Sequence, residues 1–87
     1  MPETLKVSIV SPAGEIFSGQ ATSVQVPGTM GQMTILPKHA AILSSLTTGK
    51  IIINSSDQDP AEFVIDTGFM ENDQDVLTII VEGLNEN

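Results

Sequence analysis

The 87-residue chain has no cysteine, no arginine, no tryptophan and no tyrosine, and it holds one histidine, His39, and three phenylalanines, Phe17, Phe63 and Phe69. Without cysteine there is neither a disulfide framework nor a thiolate metal site, and the composition fits a reducing compartment. A zinc centre needs several His or Cys ligands, and one His does not make one. Three lysines face eleven acids, for a net charge of −8. Nucleic acid and anionic lipid are bound through Lys and Arg, so the balance excludes both as partners. No apolar run reaches the roughly 18 residues of a membrane span, and no charged-then-apolar leader opens the chain, which therefore reads as soluble and unexported.

What is present is aliphatic and unevenly charged. Residues 1–56 carry Lys6, Lys38 and Lys50 against Glu3 and Glu15, for +1, whereas residues 57–87 carry nine acids and no base, for −9. Such a one-sign surface keeps a small domain soluble. The interior must be built from Val, Ile and Leu with three Phe, a β-branched mixture that favours strands. At this length folding hides only about 60–65% of the surface of the unfolded chain, so the core is expected to be thin.

The pattern along the chain is that of short strands separated by turns. Leu5, Val7 and Ile9 alternate with Thr4, Lys6 and Ser8, the signature of a half-buried strand. Ser11-Pro12-Ala13-Gly14 turns the chain, Glu15–Ser18 forms a strand that Gly19 is expected to interrupt as a bulge or corner, and Ala21–Val26 resumes it. Ala40–Leu46 fits a helical face as well as a strand, and the bracketing Pro37 and Gly49 favour a strand. Lys50–Asn54 lacks alternation, as in a strand covered on both sides. Ser55–Pro60 is turn chemistry, Glu62–Thr67 follows with Phe63 and Ile65 facing one way, and Asn72-Asp73-Gln74-Asp75 separates Phe69-Met70 from Val76–Val81. Turns every 8–12 residues predict an all-β sandwich or barrel. It should span residues 1–82 as one domain, with 83–87 a frayed tail.

The densest punctuation lies in Val26–Ala40, where Pro27, Gly28, Gly31 and Pro37 shape a loop carrying Met30 and Met33. Two soft apolar side chains on a glycine-shaped tip predict a docking point, with both exposed. Catalysis finds no support. His39 would need a nucleophile and an orienting acid, and it reads instead as a structural histidine beside a turn, its ring packed or bonded to the loop backbone. Asp57, Asp59 and Glu62, or Asp73 and Asp75, lack the Gly and distal Glu of a calcium-binding hand and read as solvated turn acids. Gly28-Thr29-Met30-Gly31 matches the GxxG of some RNA-binding domains but lacks basic flanks. No Walker or dinucleotide glycine motif is present, so the chain should bind no nucleotide, ATP included.

Leu5–Gly19, with Ser11-Pro12-Ala13-Gly14-Glu15-Ile16-Phe17-Ser18-Gly19 at its centre, then Val26-Pro27-Gly28, Gly31, Ile35-Leu36-Pro37, His39-Ala40 and Leu43, resembles the N-terminal domain of the epsilon-subunit family of the rotary F-type ATP synthase. The match runs to about Val81, and the combined order of the SPxGxxFSG, VPGxxG and ILPxHA elements makes it specific. The resemblance implies a ten-stranded β-sandwich, a flattened barrel without a long helix, at the foot of the central stalk. It implies no chemistry and no cofactor. The partners it implies are the gamma subunit and the polar loops of the membrane c-ring, joined so that proton flow is coupled to ATP synthesis. By position, Thr29, Met30, Gly31, Gln32 and Met33 fall in the c-ring loop, and Ser11, His39, Ala40, Ile42 and Leu43 fall on the gamma-contacting side. The implied location is the cytoplasmic side of a bacterial inner membrane, peripheral and not inserted, with a thylakoid as the other possibility.

The chain departs from that family in several places. Met30 and Gln32 stand where many relatives place an acid, which puts an ion pair with the c-ring in doubt; Lys38 stands where glycine or a small residue is frequent, and Ala41 where proline is common. Relatives usually continue into a helical hairpin, whereas Glu82–Asn87 has poor helix propensity, which favours a naturally short form. The competing reading is a carrier domain of the lipoyl or biotinyl type with Lys38 as the attachment site. Pro37-Lys38-His39 does not fit the hairpin, flanked by Met or Asp, that such carriers use.

Overall fold

The computed structural model of the chain describes residues 3–82; the expected tail, 83–87, lies outside them. Nine strands follow one another: β1 Leu5–Ser11, β2 Gly14–Ala21, β3 Ser23–Gly28, β4 Gly31–Ile35, β5 Ile42–Leu46, β6 Gly49–Asn54, β7 Ala61–Ile65, β8 Gly68–Asp73 and β9 Val76–Val81. All-β architecture is as expected, with nine strands rather than ten among the described residues.

Hydrogen bonding links the strands in the order β2-β1-β9-β8-β5-β3-β6-β7, with β4 also on β3. Only β1 and β9 run parallel. The bend lies at β3. One of its edges pairs with β4 from Val24 to Gly28, while the other is divided, Ser23–Gln25 meeting β6 and Gly28 alone meeting Leu46 of β5. The sheet therefore folds into two layers, β2-β1-β9-β8-β5 over β4-β3-β6-β7, each burying one side chain in two. At the open ends of the path, Phe17 of β2 meets Phe63 of β7 edge to face, with centroids 5.7 Å apart and an interplanar angle of 64°. Aromatic contact rather than backbone pairing thus closes the flattened barrel.

Between the layers lie Leu5, Val7, Ile9, Val24, Val26, Ile35, Ile51, Ile53, Ile65, Met70, Leu77 and Ile79, all buried. Fully burying one such aliphatic side chain is worth about 1.5–3 kcal/mol, so a thin core of this kind suffices. Three expectations need correction. Gly19 does not interrupt β2; the register slips at Ile9/Val10 instead, leaving Ile16 as the extra residue. The run Ile51-Ile52-Ile53 is not covered equally on both sides, since Ile51 and Ile53 are buried while Ile52 is half-buried. Asn72, assigned to a turn, is a strand residue only 1% exposed; the turn holds just Gln74 and Asp75, at φ 52° and 63°. Positive φ at both central residues is what a two-residue hairpin of the primed type demands.

Candidate functional site

β3 and β4 form a hairpin whose last pair is Gly28↔Gly31, so Thr29 and Met30 make the tip. Gly31 sits at φ 127°, a conformation closed to residues with a Cβ, and this lets the chain reverse in two residues. The tip is fastened sideways to β5. Thr29 N–H donates to the Ser45 carbonyl at 3.1 Å, the two hydroxyls Thr29 Oγ1 and Ser45 Oγ lie 3.1 Å apart, and Thr47 N–H donates to the Pro27 carbonyl at 2.8 Å. Beyond that seam Met30 is 98% exposed.

The second methionine behaves differently. Met33 is half-buried and packs on the core, its Cε 2.9 Å from where a Cβ on Gly28 would stand. The expectation that both methionines are exposed therefore holds for Met30 alone. Extending the period of two backwards from buried Ile35 would have found this, because Met33 shares its face while Gln32 and Thr34 take the other. Gln32 extends to Gln25 on the neighbouring strand, Nε2 donating to Oε1 at 3.2 Å.

From β4 the chain crosses between layers through a turn centred on Pro37 and Lys38, closed by His39 N–H donating to the Leu36 carbonyl at 3.2 Å. Lys38 has φ 63°, the position where such a turn prefers glycine. What holds it there is Asp75 of the β8–β9 turn: Oδ1 accepts the Lys38 N–H at 2.7 Å, and the Asp75 carbonyl accepts Lys6 N–H at 2.8 Å. His39 and Ala40 are exposed, so the ring of His39 is not packed as expected. Lys38, its ammonium 3.7 Å from Glu3, sits in a crossover between layers, a setting unlike the hairpin of a carrier domain.

β5 then carries Ile42 half-buried against the core and Leu43 on the outer face, 75% exposed. Leu43 lies two residues from the Ser45 seam, so it shares one corner of the molecule with the Met30 tip, while His39 and Ala40 lead in from the opposite end of β5, beside the Asp75 turn. Ser11 does not belong to that corner. It lies in the register row of Leu46, Gly68 and Val81, at the Ser45 end of that layer but three strand spacings from β5, where its hydroxyl accepts Ala13 N–H at 3.2 Å.

Sequence reasoning missed the floor of this corner. A cleft of about 240 Å³ lies among Ala41, Ile42, Leu43, Glu71, Asn72 and Asp73. Asn72, flanked in register by Ile42 and Leu77, has neither amide atom hydrogen-bonded among the described residues. A buried amide left without partners costs about 1–3 kcal/mol. Among the described residues no three His, Cys, Asp or Glu side chains converge as metal ligands.

Comparison with known proteins adds to this geometry. Residues 4–86 match the family described as the ATP synthase Delta/Epsilon chain, beta-sandwich domain. The chain is 42% identical over 82 residues to the ATP synthase epsilon chain 1 of Methylococcus capsulatus, covering 94% of this chain and 59% of that one. It is 38% identical over 81 residues to the ATP synthase epsilon chain of Sulfurovum sp., covering 93% and 63%. It thus spans about three fifths of these relatives. A chain of the Euglena gracilis mitochondrial ATP synthase superimposes with a TM-score of 0.87 at 18% identity over 98% of this chain and 54% of its own length. One from the central stalk/c-ring of the Tetrahymena thermophila enzyme gives 0.79 at 16%, over 97% and 67%.

Proposed function

Because this chain belongs to the ATP synthase delta/epsilon β-sandwich family, we propose that it is a non-catalytic part of the central stalk of a rotary F-type ATP synthase. In this reading the Thr29–Met33 hairpin touches the polar loops of the c-ring, and His39, Ala40, Ile42 and Leu43 face the gamma subunit. The domain joins the two and carries rotation between them. It neither binds ATP nor enters the bilayer, and it sits peripherally on the cytoplasmic side of the membrane. Ser11, three strand spacings from β5, would meet gamma only through a second area of contact.

The observation that carries this reading is the corner itself: Met30 at 98% exposure and Leu43 at 75%, on two elements locked together by the Thr29–Ser45 bonds. Two partners gripping one rigid corner are held in fixed relation, as coupling requires. With Met30 and Gln32 uncharged, this side of the contact carries no charge at the tip and its strength should vary little with salt. The test is reconstitution of the membrane complex with and without this chain. Loss of ATP-driven proton pumping without it, and recovery on adding it back, is the expected result; unchanged pumping overturns the proposal. An adduct on Lys38 in the intact mass of the native protein would restore the carrier reading.

A further inference from the structure

The two layers show different outer faces to solvent. On β4-β3-β6-β7 the outward positions include Gln25, Gln32, Thr34 and Asn54, a polar surface. On β2-β1-β9-β8-β5 they include Leu43, Phe69, Val76 and Ile80, four of the seven large hydrophobic side chains exposed among the described residues. Register sets this second face in rows that cross the strands. In one row Phe69, Ile80 and Val10 stand side by side on β8, β9 and β1, with Ser45 at one end and Glu15 at the other. The row beside it holds Glu71, Thr78 and Ser8, with Leu43 next to Glu71. In the third, Asp73 and Lys6 flank Val76 from either side of β9, and neither is ion-paired among the described residues. Monomeric soluble proteins rarely expose an apolar band running across several strands, and such a band marks a surface that something covers.

We infer that in the isolated chain this face is covered by the same face of a second copy, the two sheets stacked about a two-fold axis that runs along β9. The charges on the face select that axis. Sheets that stack face to face keep their strands nearly aligned, about 10 Å apart. A two-fold along β9 exchanges β8 with β1 and keeps every row in line. Phe69 then meets Val10 of the second copy, Ile80 and Val76 meet their own counterparts, and Lys6 meets Asp73 in two symmetric ion pairs. Glu71 faces Ser8 and Glu15 faces Ser45, so no like charges are opposed. The other aligned choice, an axis across the strands, reverses the rows and sets Glu71 on Glu71, Asp73 on Phe69 and Lys6 on Val10. The net charge of −8 does not forbid the contact. Asp57, Asp59 and Glu62 belong to the other layer, beyond the Debye length of about 8 Å at physiological salt. Five strands about 4.8 Å apart and five residues of about 3.4 Å give a flat footprint of roughly 400 Å² per copy. That lies at the small end of specific interfaces, so the dimer is weak and forms at high concentration. The inference does not depend on the coupling role proposed above. If that role holds, a copy seated here covers Leu43, and the dimer is the form of the chain outside the stalk.

The test is sedimentation equilibrium of the isolated chain over a concentration series reaching about 1 mM, where even a weak association registers. The average mass should rise from one copy toward two. Lys6→Asp and Asp73→Lys, both at exposed positions, each set like charges opposite one another and should weaken association by roughly tenfold. The chain carrying both changes restores opposite charges and should recover association to within about threefold of wild type, a coupling that only residues in contact show. Ile80→Lys puts two ammonium groups on the axis and should leave the chain monomeric, with its circular dichroism melt unchanged because Ile80 is exposed. A wild-type chain that stays monomeric at about 1 mM, a dimer that survives Ile80→Lys, or a double exchange that restores nothing overturns the proposal. Each of these outcomes leaves the coupling role standing, since that role is tested by proton pumping in the membrane complex.

Discussion

The β3–β4 and β8–β9 hairpins each reverse through two residues and use them in opposite ways. Thr29-Met30 sends an apolar side chain into solvent and confines positive φ to Gly31, where it costs little. Gln74-Asp75 takes positive φ on two residues that have a Cβ, and Asp75 turns inward to hold Lys6 and Lys38. Backbone strain often marks functional sites. Here it marks the turn that fastens three segments together, and the turn with an exposed tip is relaxed. What separates the two is whether anything inside the protein answers the tip.

Substitutions can break that contrast, beginning with the largest expected effect. Met33→Asp places a charge on the half-buried side of the exposed hairpin and should cost about 2–3 kcal/mol in denaturant unfolding. An unchanged midpoint would mean that the whole hairpin, and not just its tip, is free of the fold. Asp75→Ala loses the bond to Lys38 and puts a less tolerant residue in a left-handed position. We expect a loss of roughly 2 kcal/mol by the same measurement; a neutral result would remove Asp75 as the staple. Lys38→Gly relieves positive φ and forfeits only an exposed ion pair, so it should stabilise by about 0.5 kcal/mol. Destabilisation would show that the lysine side chain matters more than its backbone. Met30→Asp should leave the melting curve within about 0.5 kcal/mol of wild type yet weaken assembly with the c-ring by roughly tenfold or more. A melting transition that falls with assembly would place Met30 inside the fold.

Much of this was legible from local pattern. Leu5, Val7 and Ile9, and likewise Val24 and Val26, alternate strictly and are buried as the alternation requires. The segment before Leu46 is a strand, its bracketing Pro37 and Gly49 having outweighed the helical spacing of Ile42, Leu43 and Leu46. What stayed hidden depends on partners distant in sequence. Asn72 looks like a turn residue among acids, and only its pairing with Ile42 and Leu77 carries it inside. Ile52 looks like its neighbours, and only the layer arrangement leaves it half-buried. At the corner, the tip could be read from glycine spacing, but its bond to Ser45 joins residues 16 apart and no local signal announces it.

The parallel pairing of β1 with β9 has a mechanical consequence. These strands are joined over five residue pairs, Lys6↔Val76 to Val10↔Ile80, and the start of β1 and the end of β9 lie at opposite ends of the ladder. Tension applied between those two points pulls the strands along their length, so the bonds between them share the load and must fail together. A hairpin pulled at its open end instead gives way one bond at a time. A domain placed in a rotating shaft would thus resist a pull along this axis far better than one that peels the β8–β9 hairpin from its open end, and single-molecule force measurements in the two directions would register the difference as a higher rupture force for shear.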